Sequence, residues 1–161
     1  MDKTEALKEK ILKAHENADI AGLYVLEAEA NECFDEKTLV AYYANILELA
    51  LENLTDVLGS GRKMKMADVK DFATLRALYE YAIEHYSAGK ASDAAALFEI
   101  LSGLSDDARF SEAMKRHQYC AERIHDFNHF LDEAADLDAT QRNGTFYISA
   151  FSKDLEETDK A

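Results

Sequence analysis

Apolar side chains recur at intervals of three and four along almost the whole chain, and alternation with a period of two is hard to find. That pattern predicts an all-α fold of about seven helices. The first is expected over residues 3 to 16. It places Leu7, Ile11, Ala14 and Ala18 on one stripe, behind an Asp2-x-x-Glu5 start of capping-box form. A second, over 20 to 32, opens with an apolar run at 20–26 that has no clear period. The third, over 37 to 58, is patterned through Leu39, Tyr43, Ile46, Leu47, Ala50, Leu54, Val57 and Leu58, and stops at Gly59-Ser60-Gly61. Helices over 68 to 88 and 91 to 103 follow, separated only by Ala88-Gly89-Lys90. So short a break forces two amphipathic helices into an antiparallel hairpin. The stripe Phe110, Ala113, His117, Cys120, Ile124, Phe127, Leu131 reads as one helix over 107 to 135, or as two with a break near 125–128. Asn143-Gly144 marks a turn, a last helix is expected over 145 to 157, and the closing residues 156–160 are expected to fray.

Composition agrees with uninterrupted helices. Ordinary usage would put roughly 8 prolines in a chain of this length; there are none, no tryptophan, and only 6 glycines among 161 residues. That length fits one domain with a substantial core. Acidic residues number 32 against 18 Lys and Arg, a formal charge of -14, which repels a phosphate backbone and argues against nucleic acid as a partner. The acidity is general. Residues 1 to 67 carry 13 acidic and 8 basic side chains, and residues 68 to 161 carry 19 and 10. No secretory signal opens the chain and no window approaches the roughly 18 to 20 apolar residues of a bilayer span, so no membrane association and a cytoplasmic location are expected. Cys33 and Cys120 lack any C-x-x-C spacing and are expected as free, reduced thiols. In that compartment the sequons at Asn53 and Asn143 have no glycosylation to receive.

Chemistry is sparse. The one basic cluster, at 59–65, has Arg62, Lys63 and Lys65 beside two glycines, but neither the spacing nor the preceding strand of a phosphate loop, and reads as a helix cap and connector. Glu122, His125, His129 and Glu133 would share a face of one helix and include a single Glu-x-x-His pair, where a di-iron bundle needs two pairs and two further glutamates. His117 stands three residues before Cys120 without a strained turn or oxyanion donor, which makes the thiol a buried small side chain rather than a nucleophile. No catalytic set, metal site or cofactor is therefore expected, and the protein reads as a non-enzyme.

The most specific stretch runs from Leu75 to Phe110. With Gly89 as the glycine between two helices, Ala82 and Ala94 fall where paired helices need small side chains, Phe98 where an aromatic fills the space beside them, and Leu101 at the next core position. The full string is Thr74-Leu75, Leu78-Tyr79, Ala82, Tyr86, Gly89-Lys90, Asp93-Ala94, Phe98, Leu101, Leu104, Asp107 and Arg109-Phe110. It resembles the first repeat of the tetratricopeptide-type, class II chaperones of bacterial type III secretion, which guard translocator proteins before export. The resemblance implies antiparallel helical hairpins stacked as a short tetratricopeptide-like solenoid over residues 68–161, preceded by a helical extension over 1–67, all packed as one domain. It also implies a groove that grips an extended apolar or amphipathic segment of a secreted translocator. The groove positions would fall on Arg76, Tyr79, Ile83 and Tyr86 in one helix and on Phe110, Ala113, His117 and Cys120 in the next. Aromatics suit that task because they offer wide apolar area with few torsions to freeze, although the same rings equally suit a packed core. A strongly acidic exterior would keep such a chaperone soluble, and a homodimer is compatible with the sequence. The competing reading is an acidic helical inhibitor or immunity protein that neutralises a basic toxin or nucleic-acid enzyme, resting on the charge alone.

Overall fold

The computed structural model describes residues 2–152, and among these the chain is all-helical, with nine helices and a single isolated β-bridge between Ala135 and Phe151. Contacts divide it into two units, one ending at Leu78 and the other beginning at Tyr79.

The first unit begins with α1 (Lys3–Glu16). The side chain of Asp2 caps this helix by accepting from the Glu5 N–H at 2.8 Å. Its buried stripe is Leu7 and Ile11; Ala14 is half-buried and Ala18 lies beyond the helix with φ 53°. The apolar run that follows divides at Leu26 into α2 (Ile20–Val25) and α3 (Glu27–Cys33), where one helix was expected. No glycine or proline announces that division. Ile20, Leu23 and Ala30 are buried on either side of it at the spacing of a single helical face, so periodicity does not reveal the division either. Next comes α4 (Glu36–Ser60), capped by Asp35 at one end and by Gly61 in the left-handed conformation, φ 71°, at the other. Tyr42, Ile46, Leu49, Ala50 and Val57 form its buried face, and the Tyr42 hydroxyl donates to the Leu23 carbonyl. The basic residues of the connector are structural. The Arg62 guanidinium donates twice to Asp71, at 2.9 and 3.0 Å, and Asp71 also accepts from the Lys65 N–H. That cation beside it holds the Asp71 carboxyl below its usual value. Asn53 donates to the Thr74 hydroxyl, so this buried amide is satisfied.

The helix α5 (Val69–Ser87) carries the chain from one unit to the next. It ends in a Schellman motif: the Lys90 N–H reaches the His85 carbonyl, the Gly89 N–H reaches the Tyr86 carbonyl, and Gly89 has φ 85°. A side chain at Gly89 would be strained by that φ although the space around it is open. In the second unit, α6 (Ala91–Ser102) packs against α7 (Ala108–Arg123), with Ala94, Ala95, Ala113 and Ala121 among their buried residues. Ala82, Ala94, Phe98 and Leu101, the positions picked out in the sequence, are all buried. The stripe that suggested a helix to residue 135 is broken at Ile124, which is extended (φ -109°, ψ 94°). A short turn of helix, α8 (Phe127–His129), leads into a π-helical turn (Phe130–Ala134), and then comes α9 (Leu137–Asn143). Gly144, φ 69°, terminates α9 as the Asn143-Gly144 turn predicted.

The expected last helix is absent over its described part. Residues 145–152 are not helical, and the remainder of that prediction, with the frayed residues 156–160, lies outside the described residues. The stretch Thr145-Phe146-Tyr147-Ile148 is rich in aromatic and β-branched side chains, which favour extended backbone.

Candidate functional site

The non-helical run 145–152 crosses the face of the second unit that the sequence had marked as a groove. Tyr79, from α5, is 5% exposed. Its ring lies 6.0 Å from Phe146 and 6.4 Å from Tyr147, in edge-to-face arrangements. Phe110, at the start of α7, is 5.0 Å from Tyr147 and 5.9 Å from Phe146. His117, two turns further along α7, is fully buried in a cage of four rings. They are Phe98 at 4.9 Å, Tyr79 at 5.3 Å, and Phe130 and Phe151 each at 5.6 Å.

The polar atoms within this cage form one chain of hydrogen bonds. His117 Nδ1 lies 2.7 Å from the Ala113 carbonyl, which can only accept, so Nδ1 carries the proton. Nε2 is then the acceptor, and the Tyr79 hydroxyl donates to it at 2.8 Å. The same hydroxyl oxygen accepts the Ile148 backbone N–H at 3.1 Å. Every member is satisfied only while the imidazole is neutral, and burial pushes its pKa down to about 4. Burial raises the Tyr79 phenol as well, so it stays protonated and keeps its donor.

Backbone bonds fasten the rest of the run. The Ser149 and Ala150 N–H groups both donate to Thr140 Oγ1, at 3.1 and 3.2 Å. Asp136 N–H donates to the Ala150 carbonyl and Ser152 N–H to the Ala134 carbonyl, at 2.9 and 2.8 Å, flanking the bridge between Ala135 and Phe151. Tyr147 and Ile148 are buried; Phe146 and Phe151 are half-buried, the latter with the Arg116 guanidinium 5.8 Å above its ring.

The predicted groove residues therefore separate into groups. Tyr79, Phe110 and His117 are brought together, but under the chain's own residues 145–152 and closed to solvent. Ala113 supports them through its carbonyl and is itself buried. Tyr86 faces another way: its hydroxyl donates to the Ile124 carbonyl, where α7 stops, and its ring packs 5.2 Å from Phe127 and 5.3 Å from Phe130. Cys120 is buried and without a disulfide, and Ile83 is half-buried. Arg76 belongs to the first unit, where it pairs with Glu27 at 2.9 Å and lies 4.1 Å over the Tyr24 ring. An open groove over these eight positions is thus corrected to a filled one built on three of them, with Phe98, Phe130 and Thr140 as partners the sequence reading had not selected.

The missed residues share a cause. With 145 onward read as helix, nothing required an acceptor such as Thr140 or a backbone-binding edge at 134–136. The available signal was the aromatic and β-branched cluster immediately after Gly144.

Glu122, His125, His129 and Glu133 do not share a helix face, because α7 ends at Arg123. Among the described residues no group of three His, Cys, Asp or Glu side chains is placed to hold a metal ion, and no helix is long and apolar enough to cross a membrane. Comparison with protein-family models, with curated proteins and with solved structures finds no match for this chain.

Proposed function

We propose that this is a non-enzymatic binding protein whose second unit holds an extended, aromatic-bearing segment of a protein partner. The observation that carries this reading is the path of residues 145–152. A non-helical stretch lies across Tyr79, Phe110 and His117, with its Ile148, Ser149 and Ala150 N–H groups taken by Tyr79 and Thr140. The surface is thus suited to a non-helical peptide by two independent criteria, aromatic sites for side chains and fixed acceptors for main chain. The resemblance of the hairpin to tetratricopeptide-type secretion chaperones supplies the partner class we favour: a type III translocator, held in the cytoplasm before export.

Co-expression with a translocator tests this reading directly. A stoichiometric complex that survives gel filtration is the expected result, and its loss in a Thr140→Val chain would place the contact at this face. An acidic inhibitor of a basic toxin would instead lose its partner steeply between low and high salt, whereas capture of aromatic side chains is expected to be nearly insensitive.

A further inference from the structure

We infer that residues 145–152 are a resident occupant which a partner's segment replaces, and that this segment carries the same pattern, two adjacent aromatics, an aliphatic residue and a third aromatic three positions later. The inference rests on the binding reading above and deepens it by naming the side-chain chemistry the partner must offer.

Three features of the run argue that it is separable from the surface beneath it. Its receptors lie outside it, on Tyr79 of α5, Thr140 of α9, and Ala134 and Asp136 at either side of the bridge. The bonds they make are to backbone N–H and C=O groups, so a peptide that follows the same path can make them whatever its side chains. The side chains that fill the aromatic sites, Phe146, Tyr147, Ile148 and Phe151, all come from one contiguous stretch. Gly144, with φ 69°, ends α9 in a left-handed residue, so the stretch begins outside any helix.

Competition sets the affinity. A tethered occupant acts at an effective concentration in the mM range, and a partner's apparent affinity is reduced by the fraction of chains whose site is filled. Loosening the occupant therefore tightens binding of an external peptide, the opposite of what loss of a contact does.

The test uses the full chain, a capped octapeptide with the sequence of residues 145–152 carrying a fluorophore, and a control peptide with its tyrosine and isoleucine replaced by serine. Anisotropy is compared for the wild type and for a chain with Ile148→Ser and Phe151→Ser. The expected result is at least about ten-fold tighter binding by the variant, and no binding of the control peptide by either chain. Equal binding by both chains would overturn the inference while keeping the binding reading. Failure of both to bind at mM peptide, with helical circular dichroism retained, would overturn the two together. Should the variant not fold, hydrogen exchange on the wild type decides. Saturating peptide should deprotect the Ile148, Ser149, Ala150 and Ser152 amides and leave those of α6 and α7 protected, and unchanged protection overturns the inference. A wild-type dimer that forms with rising concentration and dissolves on adding the peptide would assign the site to a second copy's segment and also overturn it.

Discussion

The two units solve the problem of burial with different side chains. The first closes on aliphatic residues carried by regular helices, with Leu7, Ile11, Ile20, Leu23, Ile46, Leu49 and Val57 among its buried residues. The second closes on rings. Tyr79, Tyr86, Phe98, Phe110, Phe130 and Tyr147 are all buried, Tyr79, Phe98, Phe130 and Phe151 surround one buried imidazole, and part of that shell comes from a non-helical run. Aliphatic packing is tolerant, because branched side chains of similar volume substitute for one another at modest cost. A shell of rings around a hydrogen-bonded chain is not, since each ring has an orientation and each polar atom a named partner.

Substitution separates the two most strongly. Phe98→Ala removes a fully buried ring that touches Tyr79, Tyr86 and His117, and should cost about 4 kcal/mol, against about 1 kcal/mol for Ile46→Val in the first unit. Urea unfolding followed by circular dichroism measures both, and similar midpoint shifts would erase the contrast.

Acid comes next. The His117 pKa is lowered in the fold, so its contribution to stability is complete above about pH 6.5, is lost as pH falls from there towards 4, and levels off below. The shift corresponds to about 3 kcal/mol between those limits. Burial, which disfavours the charged imidazolium, sets the direction, and protonation would also place a second donor against the Tyr79 hydroxyl. A His117→Gln chain should lose this part of the pH dependence, and an unchanged profile would remove His117 from the account.

Tyr79→Phe keeps the ring and deletes only the bridge. It leaves His117 Nε2 and the Ile148 N–H without a partner, an expected loss of about 2 kcal/mol. Faster exchange of the Ile148 amide, with α6 unaffected, is the accompanying signature. The smallest effect is expected in the first unit. Asp71→Asn weakens the paired bonds from Arg62, half-exposed to solvent, and should cost about 1 kcal/mol in thermal unfolding at neutral pH.

How much of this was visible in the sequence follows the same division. The helix at Lys3–Glu16 was read with its cap, Ala91–Ser102 to within a residue, and the Gly89 and Gly144 turns in place, because periodicity and left-handed glycines are local signals. The breaks at Leu26 and Ile124 were less visible. Neither carries a glycine or proline, and at Ile124 the carbonyl freed by the end of the helix accepts from Tyr86, 38 residues earlier in the chain. The filled groove was only half legible. Tyr79, Phe110 and His117 were selected as one face, correctly as neighbours, yet what covers them lies in a stretch whose short apolar cluster fits a helix as well as an extended run.

The placement of the two thiols has a practical consequence. Cys33 sits half-buried at the end of α3, while Cys120 is fully buried inside the shell of the second unit. An alkylating reagent added to the native protein should mark the former promptly and reach the latter only when that shell breathes. Mass spectrometry over time would thus time the opening of the second unit, with the former thiol as its internal reference.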